Sequence, residues 1–144
     1  MNEAVLDASV VLKWFHSAGE GHVDLARQLR KRFEDGELRV LAPQLLWLEL
    51  LNVAARRWGW PQAELEQLAV TLEQLGFEPL EPELMSVARW AATGLTAYDA
   101  AYVAVAEQAG AQLITDDEQI VAAAPKIATA LGDLQVPPER DQSP

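Results

Sequence analysis

Short apolar runs alternate with longer amphipathic stretches along the chain. Ala4 to Leu6, closed by Asp7, reads as a short buried strand, and "SVVLKWF" continues as an apolar helix that the two glycines of "SAGEG" end. From His22 to Phe33, residues Val23, Leu25, Ala26, Leu29 and Phe33 recur near helical period, and Glu34 to Glu37 is a turn. "LRVLAP" is a second short strand, stopped by Pro43. Gln44 to Trp58 predicts a helix ended by Gly59, and Pro61 restarts the chain at a helix first turn, where its missing N–H costs nothing. "QAELEQLAVTLEQLG" is amphipathic and closes at Gly76. "FEPLEP" is a short extended piece, and Glu83 to Thr93 is a helix ending at Gly94. Thr96 starts an alanine-rich helix that Gly110 stops; "AQLIT" is a strand, "DDEQIVAAAP" a short helix ended by Pro125, and "KIATAL" a last strand.

Strands separated by helices imply an α/β fold, because connections this long suit crossovers between parallel strands rather than hairpins. The expected architecture is one domain over residues 1–136, with a mostly parallel central sheet of four to five short strands flanked by helices. Residues 137–144 are polar and proline-rich and are expected to be a tail without fixed structure. A chain of 144 residues suffices for one such core.

Composition narrows the chemistry. Half of the residues are hydrophobic, as in globular domains. Cysteine is absent, which excludes a disulfide scaffold, a thiolate zinc site and a cysteine nucleophile. The N-terminus carries an acid where a secretory signal wants a base, and no run approaches the roughly 18 apolar residues of a membrane span. A soluble cytoplasmic protein is expected. The net charge of −11 argues against non-specific nucleic-acid binding; it leaves metal ions and a basic protein as natural partners, beside plain solubilising charge.

Several acids stand in apolar surroundings: Asp7 at the end of the first strand, Glu49 within "LLWLELLNVA", Asp99 near the start of the alanine-rich helix, and Asp116 and Asp117 after "QLIT". In open α/β sheets, sites form beyond the carboxyl ends of strands, which places Asp7 and the 116–117 pair there. Each acid also has a local reading. Asp7 or Ser9 can cap the first helix, Thr96-x-x-Asp99 and Thr115-x-x-Glu118 resemble capping boxes, and Glu49 can face solvent. Taken together they favour another reading. Carboxylates gathered in one crevice repel one another, and a divalent cation removes that penalty. Oxygen ligands without thiolate suit Mg²⁺ or Mn²⁺. Leu45, Glu49, Asn52, Val53 and Arg56 share one helix face, leaving Leu46, Leu50 and Ala54 to pack elsewhere.

These segments, in this order, resemble a PIN domain, and most closely the VapC-type toxin ribonucleases of toxin–antitoxin pairs. "VLDASVVLKWF" is similar to the family's opening strand and helix, "PQLLWLELLNVAAR" to the segment with its second acid, and "GLTAYDAAYVAVAEQAGAQLITDDEQI" to its Tyr-Asp-Ala helix and Thr-x-Asp strand end. The resemblance covers the chain to about Leu134. It implies Asp7, Glu49, Asp99 and Asp117 as metal-binding and catalytic acids, with Ser9 and Thr115 as hydroxyls at the edge of the site. Asp116 occupies a variable position, as a fifth acid or a cap. The resemblance further implies an endoribonuclease dependent on Mg²⁺ or Mn²⁺, usually dimeric and inhibited by an antitoxin protein, with DNA met only through that antitoxin.

Lys13 and Arg56 are candidates for phosphate contacts, since each lies on a helix with a proposed metal ligand. The cluster Arg27, Arg30, Lys31 and Arg32 reads as a solvated helix face. His16 and His22 are too close together, and too far from the motifs, for a two-histidine ribonuclease mechanism. The large apolar side chains of "LLWLELL", "RRWGWPQ" and "LAVTLEQL" suggest a homodimer, unless Trp58 and Trp60 finish the monomer core. Two alternatives compete. A PIN fold can act as a non-catalytic interaction module. A haloacid-dehalogenase-type phosphatase also begins with a strand ending in Asp, but needs a second Asp where Ser9 stands and leaves Glu49 unexplained.

Overall fold

The computed structural model describes residues 2–134, so the expected domain end at 136 and the tail 137–144 lie outside the described residues. Strands β1 (Glu3–Leu6), β2 (Arg39–Ala42), β3 (Glu78–Pro79), β4 (Gln112–Thr115) and β5 (Ala128–Ala130) form one sheet in the order β3-β2-β1-β4-β5, with every pairing parallel. In β1, β2 and β4 the last three residues are all buried, with no alternation between faces. That is the signature of a parallel sheet covered on both sides, and it explains why these strands read as short apolar runs. Val5 lies between Leu41 and Leu113, which fixes the register of the three central strands. The short piece "FEPLEP" becomes the edge strand β3, where Pro79 is tolerated.

The helices are α1 (Ala8–Val11), α2 (Val23–Glu34), α3 (Leu45–Arg56), α4 (Gln62–Glu73), α5 (Leu84–Ala91), α6 (Ala97–Ala109) and α7 (Glu118–Ala123). Helix α6 is buried continuously from Ala100 to Ala106, because it packs on β1, β2 and β4 while α5 covers it from outside. Its small side chains permit that double packing, and Gly110, in the left-handed region, ends it. Helix α1 is shorter than the apolar run suggests. It tightens into a 3₁₀ turn at Leu12–Trp14, whose three residues are all buried. Trp14 Nε1 donates to Ala26 O at 2.9 Å, and its ring joins Phe33 and Phe77 at centroid separations of 6.0 and 5.6 Å.

Trp58 and Trp60 pack against the core of their own chain, Trp58 also stacking on His16 at 4.6 Å. Of the two expectations for these tryptophans, the packing favours the one in which they help to finish the monomer core, each remaining partly exposed. The large hydrophobic side chains left exposed are Leu48, Val70, Leu84, Met85 and Tyr98. Among the described residues no helix is long and apolar enough to cross a membrane.

The connectivity positions the site. From β1 the chain moves outward through β2 to β3, then returns across the sheet to β4 and β5. Strand order thus reverses between β1 and β4, and the crevice beyond their carboxyl ends is the place such sheets offer to a ligand. Asp7 follows β1, and Asp116 and Asp117 follow β4.

Candidate active site

Asp7 stands at the N-cap position of α1, yet its side chain makes no capping bond. Instead Ser9 Oγ donates to Asp7 Oδ1 and Thr115 Oγ1 donates to Asp7 Oδ2, each at 2.5 Å. Those hydroxyls accept from the backbone in turn. Asp116 N–H donates to Ser9 Oγ at 2.9 Å, and Asp117 N–H donates to Thr115 Oγ1 at 3.0 Å. The ends of β1 and β4 are thereby stitched together around one carboxylate. Asp7 is 4% exposed. Burial pushes its carboxyl up to about 6; the two hydroxyls oppose that rise, and the charges of Glu49 and Asp99 add to it.

Glu49, half-buried on α3, meets α6. The Tyr102 hydroxyl donates to Glu49 Oε1. Burial raises the Glu49 carboxyl, the Tyr102 bond lowers it, and the charge of Asp99 raises it again. The Tyr102 phenol is pushed far above its ordinary value by burial and by Glu49, so it remains a donor. Asp99 precedes Tyr102 by three residues on α6, a spacing that puts both on one side of the helix. Burial and the charge of Asp117 raise the Asp99 carboxyl, against a bond with Thr96. Thr96 caps α6, accepting from Asp99 N–H at 3.1 Å.

Asp117 caps α7, accepting from Gln119 N–H at 2.8 Å. The expected box between Thr115 and Glu118 is not the arrangement at this cap, because the Thr115 hydroxyl is already engaged by Asp7 and Asp117. Asp116 turns the other way. Its carboxylate lies 3.2 Å from Lys13 Nζ and 3.2 Å from His22 Nδ1. Lys13 is itself buried and lies 3.3 Å from Glu20. Asn52 and Arg56 are exposed on α3; Arg57, not Arg56, joins Lys13 in lining a cleft of about 560 Å³ that also includes Ser9 and Asp117.

Four acids from four segments are thus electrically coupled: Asp7 to Glu49 and Asp99, Glu49 to Asp99, and Asp99 to Asp117. Among the described residues no lysine, arginine or histidine forms an ion pair with any of the four. Nor do three such side chains already converge on one ion position there. The donor set nonetheless fits a hard divalent cation, since it offers only oxygen and carries uncompensated repulsion that such an ion would relieve.

Sequence reasoning missed Tyr102 and Glu20, and it noted Arg57 only as a basic neighbour of Arg56. Tyr102 had a signal in its three-residue spacing from Asp99. Glu20 had none, because a lone acid between two glycines reads as a turn.

The divergence of the adjacent acids gives an internal control. Asp117→Asn is expected to lower any metal-dependent cleavage by more than about 100-fold, the upper end for groups that merely orient ligands. Its stability should barely change, since Asn caps helices as well as Asp. Asp116→Asn should be far milder in cleavage and should weaken the fold slightly by removing one partner of buried Lys13. Rate measurements beside melting curves check the order; the reverse order would show that the Thr-x-Asp pattern is misaligned.

The sequence matches the family model of the PIN domain over residues 4–126. A search of curated protein sequences gives no match. Solved structures of similar fold include PAE2754 from Pyrobaculum aerophilum, 26% identical with a TM-score of 0.63, the alignment covering 91% of this chain and 90% of that one. FitAcB from Neisseria gonorrhoeae is 20% identical with a TM-score of 0.64, covering 91% and 99%. VapC20 from Mycobacterium tuberculosis, described as a sarcin-ricin loop cleaving toxin, is 15% identical with a TM-score of 0.62, covering 83% and 94%. At their identities, the last two share the fold.

Proposed function

Since this chain belongs to the PIN-domain family, we propose that it is a VapC-like toxin, an endoribonuclease that hydrolyses RNA phosphodiesters with Mg²⁺ or Mn²⁺. One observation carries the reading: four acids, each within repulsive reach of at least one other, gather near the sheet's switch point, and among the described residues no cation of the chain pairs with them. The likeness in fold to a toxin described as cleaving the sarcin-ricin loop supports RNA as the substrate class. With the family shown, the phosphatase alternative falls; Ser9 stands where its second Asp would be and donates to Asp7.

Asp7, Glu49, Asp99 and Asp117 would hold the cation. When bound, it supplies Lewis acidity toward a phosphodiester and lowers the pKa of a water. Ser9 and Thr115 fix both oxygens of Asp7 in direction, and Tyr102 fixes one oxygen of Glu49, so ligand orientation is set before substrate arrives. Purified protein should cleave structured RNA with Mn²⁺ and stop on addition of EDTA. Cleavage unchanged in EDTA would defeat the reading, and absence of Mn²⁺ binding in calorimetry would favour a non-catalytic interaction module.

The protein acts in the cytoplasm on this reading, restrained by a cognate antitoxin through which alone it meets DNA. It also pairs with a second copy of itself. Exposed Leu48, Leu84, Met85 and Tyr98 support the homodimer, because side chains of that size gain by leaving water. Light scattering should give twice the chain mass at micromolar concentration; a monomer would refute the pairing.

A further inference from the structure

Four charged side chains outside the acid set form a second network at the lip of the crevice. Lys13 lies between Glu20 and Asp116, and Arg57 binds the other oxygen of Glu20. Glu20 therefore offers one carboxylate oxygen to a lysine and the other to an arginine. This pairing lines the same cleft as Ser9 and Asp117, which belong to the acid site. Buried Lys13 does not require Glu20 for neutrality, since Asp116 is 3.2 Å away. Arg57 has a side chain 55% exposed and requires no partner at all. Glu20 is thus an extra anion held by two cations beside the proposed centre.

The segment that carries Glu20 is fastened at its two ends, and between them, among the described residues, only the Glu20 side chain and a turn from Glu20 N–H to Ser17 O tie it down. His16 stacks on Trp58 at an interplanar angle of 17°. His22 reaches Asp116, and its ring lies so close to Gly132 that a Cβ there would stand 2.9 Å from it. Between them, Ser17, Ala18 and Gly19 are exposed, and Gly19 and Gly21 flank Glu20 with open space around their Cα atoms. His22 holds a left-handed backbone, φ 57°, which costs a residue other than glycine free energy.

We propose that Glu20 occupies the seat of a substrate phosphate, and that the RNA backbone binds Lys13 and Arg57 by displacing the 16–22 strap. The proposal rests on the nuclease reading and adds to it a phosphate subsite with its own internal competitor. A carboxylate bridging a lysine and an arginine matches the two-oxygen, single-charge demand of a phosphodiester. Displacement is feasible because Arg57 is itself 55% exposed and Asp116 keeps Lys13 paired once Glu20 leaves. It also reconciles an acidic chain with an anionic substrate: the two cations nearest the acids are kept in place until a phosphate exchanges for Glu20.

The test is binding of a fluorescent hairpin RNA by anisotropy, with Mn²⁺, in the Asp7→Asn background. Glu20→Ala should tighten binding about fivefold or more at low salt and steepen its salt dependence, as each freed cation engages phosphate. Glu118→Ala, which removes the same charge from the same cleft, should change affinity less than twofold or so. Adding Arg57→Gln to Glu20→Ala should cancel most of the gain. Should Glu20→Ala not fold, His22→Gly releases the strap at an exposed position, tolerates the positive φ, and should tighten binding in the same direction. Unchanged affinity in every folded strap variant overturns the proposal, as does a gain that Glu118→Ala reproduces or that Arg57→Gln leaves intact. Failure of wild-type protein to cleave RNA with Mn²⁺ would defeat the nuclease reading instead, whatever the strap variants do.

Discussion

Asp7→Asn should abolish RNA cleavage and, in metal-free protein near pH 7, leave the fold as stable as the wild type or slightly more so. Two opposing effects decide the second half. Asp7 is almost fully buried and its carboxyl is raised from 3.8 to about 6. By linkage, a rise of that size weakens the folded state at pH 7 by roughly 3 kcal/mol, and a neutral amide escapes this cost. Against it, asparagine has one acceptor oxygen where Asp7 has two, so the Ser9 or the Thr115 hydroxyl loses its charged acceptor. That loss costs about 1.5–3 kcal/mol. The balance is a gain of about 1.5 kcal/mol or less, a rise of a few degrees at most in melting temperature for a chain of this size.

The pH dependence separates the contributions. An acid whose folded pKa lies above its unfolded value binds more protons in the folded state between the two, so stability rises as pH falls through that window. Metal-free wild type should therefore gain stability between pH 7 and pH 5, as Asp7 takes its proton, with the raised Glu49 and Asp99 acting in the same sense. Asp7→Asn should lose most of that gain. With saturating Mn²⁺ the wild type should instead lose stability on the way to pH 5, because protons and cation compete for the same oxygens. Thermal melts at the two pH values, with and without Mn²⁺, check both signs. A variant that keeps near-normal cleavage at saturating metal would reduce Asp7 to a structural tie between the ends of β1 and β4.

The sheet was legible because parallel strands buried on both faces leave short apolar runs, and Ala4–Leu6, Val40–Ala42 and Leu113–Ile114 are such runs. The positions of Asp7 and of the 116–117 pair followed from strand ends alone, and the choice of Asp117 within that pair from the resemblance of its Thr-x-Asp pattern. Relations between helices were less visible. Nothing in the spacing of α3 says that Glu49 will meet Tyr102, 53 positions later, since that contact depends on how α3 and α6 pack together. The network around Lys13 was hidden for the same reason. Lys13 reads in the sequence as a phosphate contact on the first helix, but it lies in a 3₁₀ turn, buried against Asp116 and Glu20. Arg56 was named because it shares a helix with Glu49, whereas Arg57, at the end of α3, is the one that lines the cleft.

Glu49→Gln should remove metal-dependent cleavage while leaving metal-free stability equal or higher. The Tyr102 hydroxyl donates to Glu49 Oε1, and glutamine presents an oxygen of the same kind, so the tyrosine keeps an acceptor. What disappears is a charge that burial and Asp99 both disfavour. Were Glu49 an ordinary surface residue, the change would shift stability by about 0.5 kcal/mol or less and leave cleavage intact. Were it one half of an interior ion pair, the change would strand a buried cation and destabilise the metal-free fold by about 3–5 kcal/mol. The structure speaks against that last case, since Arg56 is exposed and, among the described residues, no base pairs with Glu49. Glu49→Ala sharpens the comparison: it strands the buried Tyr102 hydroxyl and should cost about 1–3 kcal/mol that glutamine does not. Melting curves with and without Mn²⁺, beside a cleavage assay, separate these cases. The metal reading requires two losses together in Glu49→Gln, cleavage and the Mn²⁺-induced rise in melting temperature; either one surviving at wild-type size would exclude Glu49 as a ligand.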